Sequence, residues 1–339
     1  MPMANSQTAT VEGAAELAVV TRAGLVESRH IGSAVLLDPQ GEVLASLGEP
    51  EAITFPRSAL KPLQAVASLR AGALISPESV ALACGSHLGT PRHQELAATT
   101  LAKERLDETY LKCPAAYPGR SKDLEEHLRA EKPKTPLAFN CSGKHAAFLA
   151  AARTQGSRLA TYTDSNHPVQ QVVNEVYAEY CEETPTATGV DGCGAPAAAM
   201  SLTGLARGIG KLASALTRRD AEVHAFTVAQ AMLDYPWAVR GPGETDTVVM
   251  EQLGLLSKLG AEGILVVAAP DGTAAAVKTL DGSSRANHLV ALSLLASRGK
   301  IELNDLQRVL TILVKPITGG ADETPAGELR LSETVTAAL

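Results

Sequence analysis

Hydrophobic positions change their spacing twice along the chain. ELAVVTRAG, IGSAVLLDP and GEVLASLG are short apolar runs of strand length, the last two joined at Asp38-Pro39-Gln40-Gly41, a turn signal that predicts an antiparallel hairpin. Beyond Pro56 the spacing becomes helical in SALKPLQAVASLRAG, PESVALACG and PRHQELAATTLAKERL. It stays helical through VQQVVNEVYAEYCEE, AAAMSLTGLARGIGKLASAL and AEVHAFTVAQAML. Strands return in EGILVVAAP and TAAAVKTL, separated by Asp271-Gly272; two helices (SSRANHLVALSLLASRG and LNDLQRVLTIL) and a short strand, GELRLS, follow.

Strands at both ends with helices between them predict an α+β fold. One antiparallel sheet is expected from about 15–55 and 260–335, with a helical region over about 56–259. No internal repeat or low-complexity linker interrupts the pattern, so 15–339 reads as one domain behind a flexible tail over 1–14.

Composition narrows the function classes. Aromatics are only 3% of the 339 residues, so the core must be built from alanine, leucine and valine, which favours closely packed helices. The formal charge is −7 and no block of lysine or arginine stands out, which argues against a nucleic-acid partner. No apolar run reaches the ~18 residues of a membrane span. MPMANSQTATVEGAAEL has no basic start followed by an apolar core, so a cytoplasmic location is expected. Five widely spaced cysteines, Cys84, Cys113, Cys141, Cys181 and Cys193, read as reduced thiols rather than a disulfide framework.

Four segments carry chemistry. In RSALKP, Ser58 and Lys61 stand at i and i+3 and share a helix face, where a neutral lysine can act as base for a serine nucleophile. Alone the pattern reads equally as a helix cap beside a solvated lysine. CGSHLGTPRH places a second serine, Ser86, among turn residues, and Lys278 is an amine on an apolar strand. This three-part layout is similar to that of serine β-lactamases and penicillin-binding proteins, although Lys278-Thr279 is followed by Leu280 and Ser86 by His87. NCSGKHAAFLAA sets Cys141, Ser142, Lys144 and His145 side by side, and GVDGCGAPAAAM adds Cys193; both enter what reads as an Ala-rich helix. Two thiolates suit zinc but do not complete a tetrahedral site, and buried free cysteines in close packing explain the same residues. The segment lacks the glycine spacing of a phosphate loop.

Taken in order, RSALKP, CGSHLGTPRH, NCSGKHAAFLA, DSNHPVQQ and GVDGCGAP closely resemble the bacterial asparaginases of the rhizobial inducible type, from about Leu17 to Arg330. The resemblance implies a serine β-lactamase-like fold and hydrolysis of L-asparagine to aspartate and ammonia. It implies two Ser-Lys pairs, Ser58 with Lys61 and Ser86 with Lys278. It also implies a Zn2+ site of Cys141, Cys193, Lys144 and water, and a homodimer. A zwitterionic substrate needs an anion and a cation, roles that suit Asp191 and Arg57; His145 is a candidate to hold substrate or metal-bound water. The rival readings are another serine amidase on the same fold and a non-catalytic protein that binds metal or an amino acid.

Overall fold

The computed structural model describes residues 8–339, so residues 1–7 of the expected tail lie outside the described residues. Eleven strands are described: β1 (Ala15–Arg22), β2 (Leu25–Leu37), β3 (Val43–Leu47), β4 (Ile53–Thr54), β5 (Ala187–Val190), β6 (Pro196–Ser201), β7 (Leu256–Gly260), β8 (Ile264–Ala268), β9 (Ala274–Thr279), β10 (Ile317–Gly319) and β11 (Thr324–Leu331). The helices between β4 and β7 are α1 (Lys61–Arg70), α2 (Pro77–Ala83), α3 (Pro91–Lys103), α4 (Ser121–Arg129), α5 (Ser142–Thr154), α6 (Pro168–Cys181), α7 (Leu202–Ser214), α8 (Val223–Asp234), α9 (Pro236–Val239) and α10 (Thr245–Leu253). Three more, α11 (Asn287–Ala296), α12 (Leu303–Leu313) and α13 (Glu333–Ala338), lie towards the C-terminus.

The main sheet runs β10-β11-β1-β2-β9-β8-β7, with β3 also paired to β2, and its pairings are antiparallel. This is the α+β arrangement expected, with both ends of the chain supplying strands to one sheet. The predicted hairpin is the β2–β3 connection, where Asp38 Oδ1 accepts from the N–H groups of Gln40 and Glu42, each at 2.9 Å.

Alternation sorts the sheet residues onto two faces. Val35, Leu37, Leu256, Ile264, Val266, Ala274 and Ala276 face a core shared with the large helical layer. Ala34, Leu36, Leu265, Val267, Ala275 and Val277 face a second core with α10, α11 and α12. The shortage of aromatics has the consequence expected of it: backbones approach closely. An added Cβ at Gly210 on α7 would lie 2.5 Å from the Gly272 carbonyl, and one at Gly143 on α5 would lie 2.5–2.6 Å from Leu82 of α2.

Three local expectations need correction. The span 56–259 is not wholly helical: β5 and β6 pair with β4 in a small second sheet, and β7 begins at Leu256. AAAMS, read as the start of a helix, is the buried strand β6, paired Ala199 to Ala187 and Met200 to Thr54. Alanine is neutral about which ladder it joins, and here strand partners decide; Ser201 then caps α7 by accepting from Gly204 N–H at 2.8 Å. β2 begins at Leu25, six residues before the apolar run, because its exposed first half pairs with β1 across a turn at Ala23 and Gly24, both at positive φ. No helix among the described residues is long and apolar enough to cross a membrane.

Candidate active site

Three segments converge at the end of β7. From β4 the chain passes through Phe55 and Pro56 into a single 3-10 turn, Arg57–Leu60, that runs directly into α1. Arg57 adopts φ 53°, left-handed backbone that costs a non-glycine residue about 1–3 kcal/mol. Asp191, from the loop between β5 and β6, fastens its guanidinium, with Nε 2.6 Å and Nη2 2.5 Å from Oδ1. Ser58 follows, half-buried, and Lys61 opens α1 with its side chain fully buried. The Lys61 amine donates to the Gly85 carbonyl, to the Asn140 carbonyl at 3.2 Å and to Ser86 Oγ at 3.1 Å. Those three acceptors use every proton of an ammonium, so the amine is turned away from Ser58 and makes no hydrogen bond to it.

Ser86 lies in the loop after α2 and is 3% exposed. Its N–H donates to Val239 O at 2.8 Å, and Arg240 Nη1 donates to its carbonyl at 2.7 Å, which pins the loop against the end of α9. The neighbouring His87 accepts from Gly89 N–H through Nδ1 and donates from Nε2 to Ser142 Oγ at 3.0 Å, tying the same loop to the start of α5.

The second amine on Ser86 is Lys258, not Lys278. Lys258 projects from β7, fully buried, with Nζ 3.1 Å from Ser86 Oγ and 2.6 Å from the Leu259 carbonyl. Lys278 sits two strands away on β9, opposite Ile264, and its amine donates to the carbonyls of Glu262 at 2.8 Å and Thr279 at 2.5 Å. Ser86 Oγ therefore bridges two lysines from opposite layers. Burial drives Lys258 down to about 7, against the pull of Asp246 and with the positive charge of Lys61 adding to the effect. Asp246, on α10 and fully buried, lies 3.7 Å from that amine and accepts from Ser257 Oγ at 2.9 Å and Leu259 N–H at 3.1 Å. Burial opposes its ionisation, but Lys258, His288 and Arg240 outweigh this and hold the carboxyl below its usual range.

Beside this cluster the thiols of Cys141 and Cys193 lie in hydrogen-bonding contact, Cys141 at the N-cap of α5 and Cys193 in the β5–β6 loop. That contact, helped by Lys61 and Lys144, holds Cys141 well below an ordinary thiol, while the same contact and burial push Cys193 up. Lys144 Nζ donates to Cys193 Sγ at 3.1 Å. Burial would lower Lys144, but the two sulfurs and Asp191 raise it above the ordinary value, so it carries its proton here. His145 is buried on the far side, with Nδ1 2.7 Å from the Tyr162 hydroxyl and Nε2 without a hydrogen-bond partner. It sits against Cys193 rather than at an open pocket, so a direct hold on substrate is not what its position offers.

The sequence-derived residues Arg57, Ser58, Lys61, Ser86, Cys141, Lys144, His145, Asp191 and Cys193 thus gather in one region, and Lys278 does not. For a zinc ion the donor chemistry is a pair of soft sulfurs and one amine that must first lose its proton, with the orphaned His145 nitrogen behind. No group of three or more His, Cys, Asp or Glu among the described residues is arranged to hold a metal. Lys258, Asp246 and Arg240 are the residues that sequence reasoning missed. Lys258-Leu259-Gly260 does carry a signal, the Lys-x-Gly spacing of the strand motif sought at Lys278.

A family model described as L-asparaginase II matches residues 18–331. No curated protein matches the chain. Among solved structures, Mglu in its glutamate form is 14% identical with a TM-score of 0.47, over 80% of this chain and 61% of that one. This chain therefore spans about 61% of the length of that relative. A β-lactamase from Mycobacterium bovis is 16% identical with a TM-score of 0.37, over 74% of this chain and 88% of that one.

Proposed function

Because the chain belongs to the L-asparaginase II family, we propose that it hydrolyses the side-chain amide of L-asparagine with a serine nucleophile and lysine bases. The observation that carries this reading is the Ser86 hydroxyl held at 3.1 Å by two fully buried amines, one of them titrating near neutrality. A lysine that is half neutral at pH 7 is a competent general base.

Ser58 is the nucleophile in this reading. It is the more open of the two hydroxyls, and it sits at the start of a helical turn whose N–H groups face a developing oxyanion. Lys61 stands one turn on, and Ser86 connects it to Lys258, so a proton taken from Ser58 can pass along Lys61, Ser86 and Lys258. Ser58 Oγ adds to the amide carbonyl, the C–N bond breaks and the transferred proton leaves with ammonia. Water then adds to the ester, giving aspartate and restoring the Ser58 hydroxyl. Arg57 and Asp191, paired in the absence of substrate, offer the complementary charges for the carboxylate and ammonium of the amino acid. Cys141 and Cys193, with Lys144 once deprotonated, would hold a zinc ion, which when bound supplies Lewis-acid polarisation or fixes the pocket shape. All five cysteines are free and buried, which supports a reducing compartment and hence a cytoplasmic location.

One observation favours a second reading with Ser86 as the nucleophile: it, and not Ser58, has the amine contacts. The test is to trap the enzyme with an amide-derived acylating reagent and map the modified peptide. Modification at Ser58, with ammonia release lost in Ser58→Ala, supports the first reading; a label on Ser86 replaces it. Activity on L-glutamine or a β-lactam but not on L-asparagine would transfer the reading to another serine amidase. Zinc analysis of purified protein before and after Cys141→Ala and Cys193→Ala tests the metal, and unchanged content removes it. Sedimentation at micromolar concentration decides the proposed homodimer.

A further inference from the structure

A cavity of about 500 Å3 lies around the β7–β8 turn, between the starts of α10 and α11 and the segment after α12. None of Ser58, Lys61, Ser86, Lys258 or the cysteine pair lines it. Three of the eight buried side-chain atoms without a hydrogen-bond partner among the described residues belong to its lining residues: Arg240 Nε, Asn287 Oδ1 and His288 Nε2. Asn287 is 1% and His288 8% exposed, so chance exposure to bulk water does not satisfy them. The two helices that begin here, of nine and ten residues, have no side-chain cap, which leaves first-turn N–H groups free on the cavity wall.

We propose that this cavity is a second ligand site, built for a small zwitterion of the α-amino-acid class. The unpartnered atoms require it to be both donor and acceptor. Arg240 Nε needs an acceptor, as do the two helix starts, whereas Asn287 Oδ1 needs a donor because its Nδ2 is already committed to the Gly263 carbonyl at 2.8 Å. The charged lining is equally mixed, with Arg285 and Lys315 against Glu244 and Glu262. A simple anion leaves Asn287 unsatisfied and meets two carboxylates; a simple amine meets three cations. A carboxylate and an ammonium on one small molecule answer both. Arg240 makes the site continuous with the catalytic region, since the same guanidinium holds the Ser86 carbonyl at 2.7 Å. The ligand class is argued from this cavity alone and does not depend on which reaction occurs at Ser58.

The test is a thermal-shift screen of the full-length protein against the common L-amino acids, succinate and inorganic phosphate, followed by calorimetric titration of each hit. Arg57→Ala disables the catalytic zwitterion contacts, Arg285→Ala with Lys315→Ala removes two exposed cavity cations, and Ser284→Trp fills the mouth. The expected result is an amino acid that still binds Arg57→Ala, binds the double variant about tenfold or more weakly, as the loss of a charge-assisted contact requires, and fails to bind Ser284→Trp. Succinate and phosphate bind more weakly than that amino acid. No amino-acid binding to Arg57→Ala, binding indifferent to the cavity variants, or binding of phosphate alone overturns the proposal. Loss of ammonia release with this binding intact would strike only at the asparaginase reading.

Discussion

Replacing Asp246 by Asn tests how the pair of buried amines is held. The carboxylate lies 3.7 Å from the Lys258 amine with both side chains inaccessible to solvent. At that distance, with an effective dielectric of about 20, the attraction is about 4 kcal/mol. One pH unit corresponds to about 1.4 kcal/mol, so removing the anion lowers the Lys258 titration by roughly two to three units. The sign follows from the charge: the carboxylate stabilises the ammonium, and its loss favours the neutral amine. In the wild type, burial has already brought Lys258 to about 7 despite Asp246. If the neutral amine is the working form, kcat/KM for ammonia release rises with pH through about 7. In Asp246→Asn the same acid limb moves down to about pH 4–5.

Asparagine is close in shape and keeps one oxygen to accept from Ser257 Oγ and Leu259 N–H, so the β7 edge retains its contacts. A melting curve checks this. The assay is ammonia release from L-asparagine across the acid and neutral range, at substrate well below KM. A folded Asp246→Asn variant whose acid limb remains near 7, or moves up, refutes the assignment of that limb to Lys258 and the role given to Asp246.

The correction from Lys278 to Lys258 has its own assay: Lys258→Ala lowers turnover by about 10²–10⁴-fold as expected for a lost general base. Lys278→Ala, whose amine meets only carbonyls, leaves turnover within about twofold. Equal losses in the two would reverse the correction. Cys141→Ala and Cys193→Ala each abolish zinc retention if the proposed site is real, measured by metal analysis after dialysis against a weak chelator. Gly143→Ala pushes a methyl group to 2.5 Å from Leu82 and lowers unfolding free energy by roughly 1–3 kcal/mol, read from denaturant midpoints.

Much of the fold was legible because apolar spacing is decided locally. The β2–β3 hairpin, the strands β8 and β9 and the helices α1, α3 and α6 follow from runs whose period and turn residues agree. Where the sequence reading failed, the deciding partner lay far along the chain. Ala197–Ala199 form a strand because Ala187–Gly189 lie beside them, and polyalanine has no preference strong enough to announce it. Likewise Leu25–Arg29 pair with Val19–Arg22 across a two-residue turn, though their polar surface side hides the strand from a search for apolar runs.

The site shows the same division. Ser58 with Lys61, and Cys141 with Lys144, are neighbours in sequence, so a short motif contains them. Lys258 reaches Ser86 across 172 residues, and Asp246 reaches Lys258 from a different helix; nothing local distinguishes either from a surface charge. What separates Lys258 from Lys278 is the layer each strand face meets. Lys258 shares its side of β7 with Leu256, which packs into the helical core, whereas the Lys278 amine curls back to the carbonyls of Glu262 and Thr279. Only the face turned to the helical layer places an amine against the loop carrying Ser86. Strand register therefore decides which lysine takes part in the chemistry, and a one-residue slip in β7 would turn Lys258 to the opposite face and dismantle the bridge at Ser86.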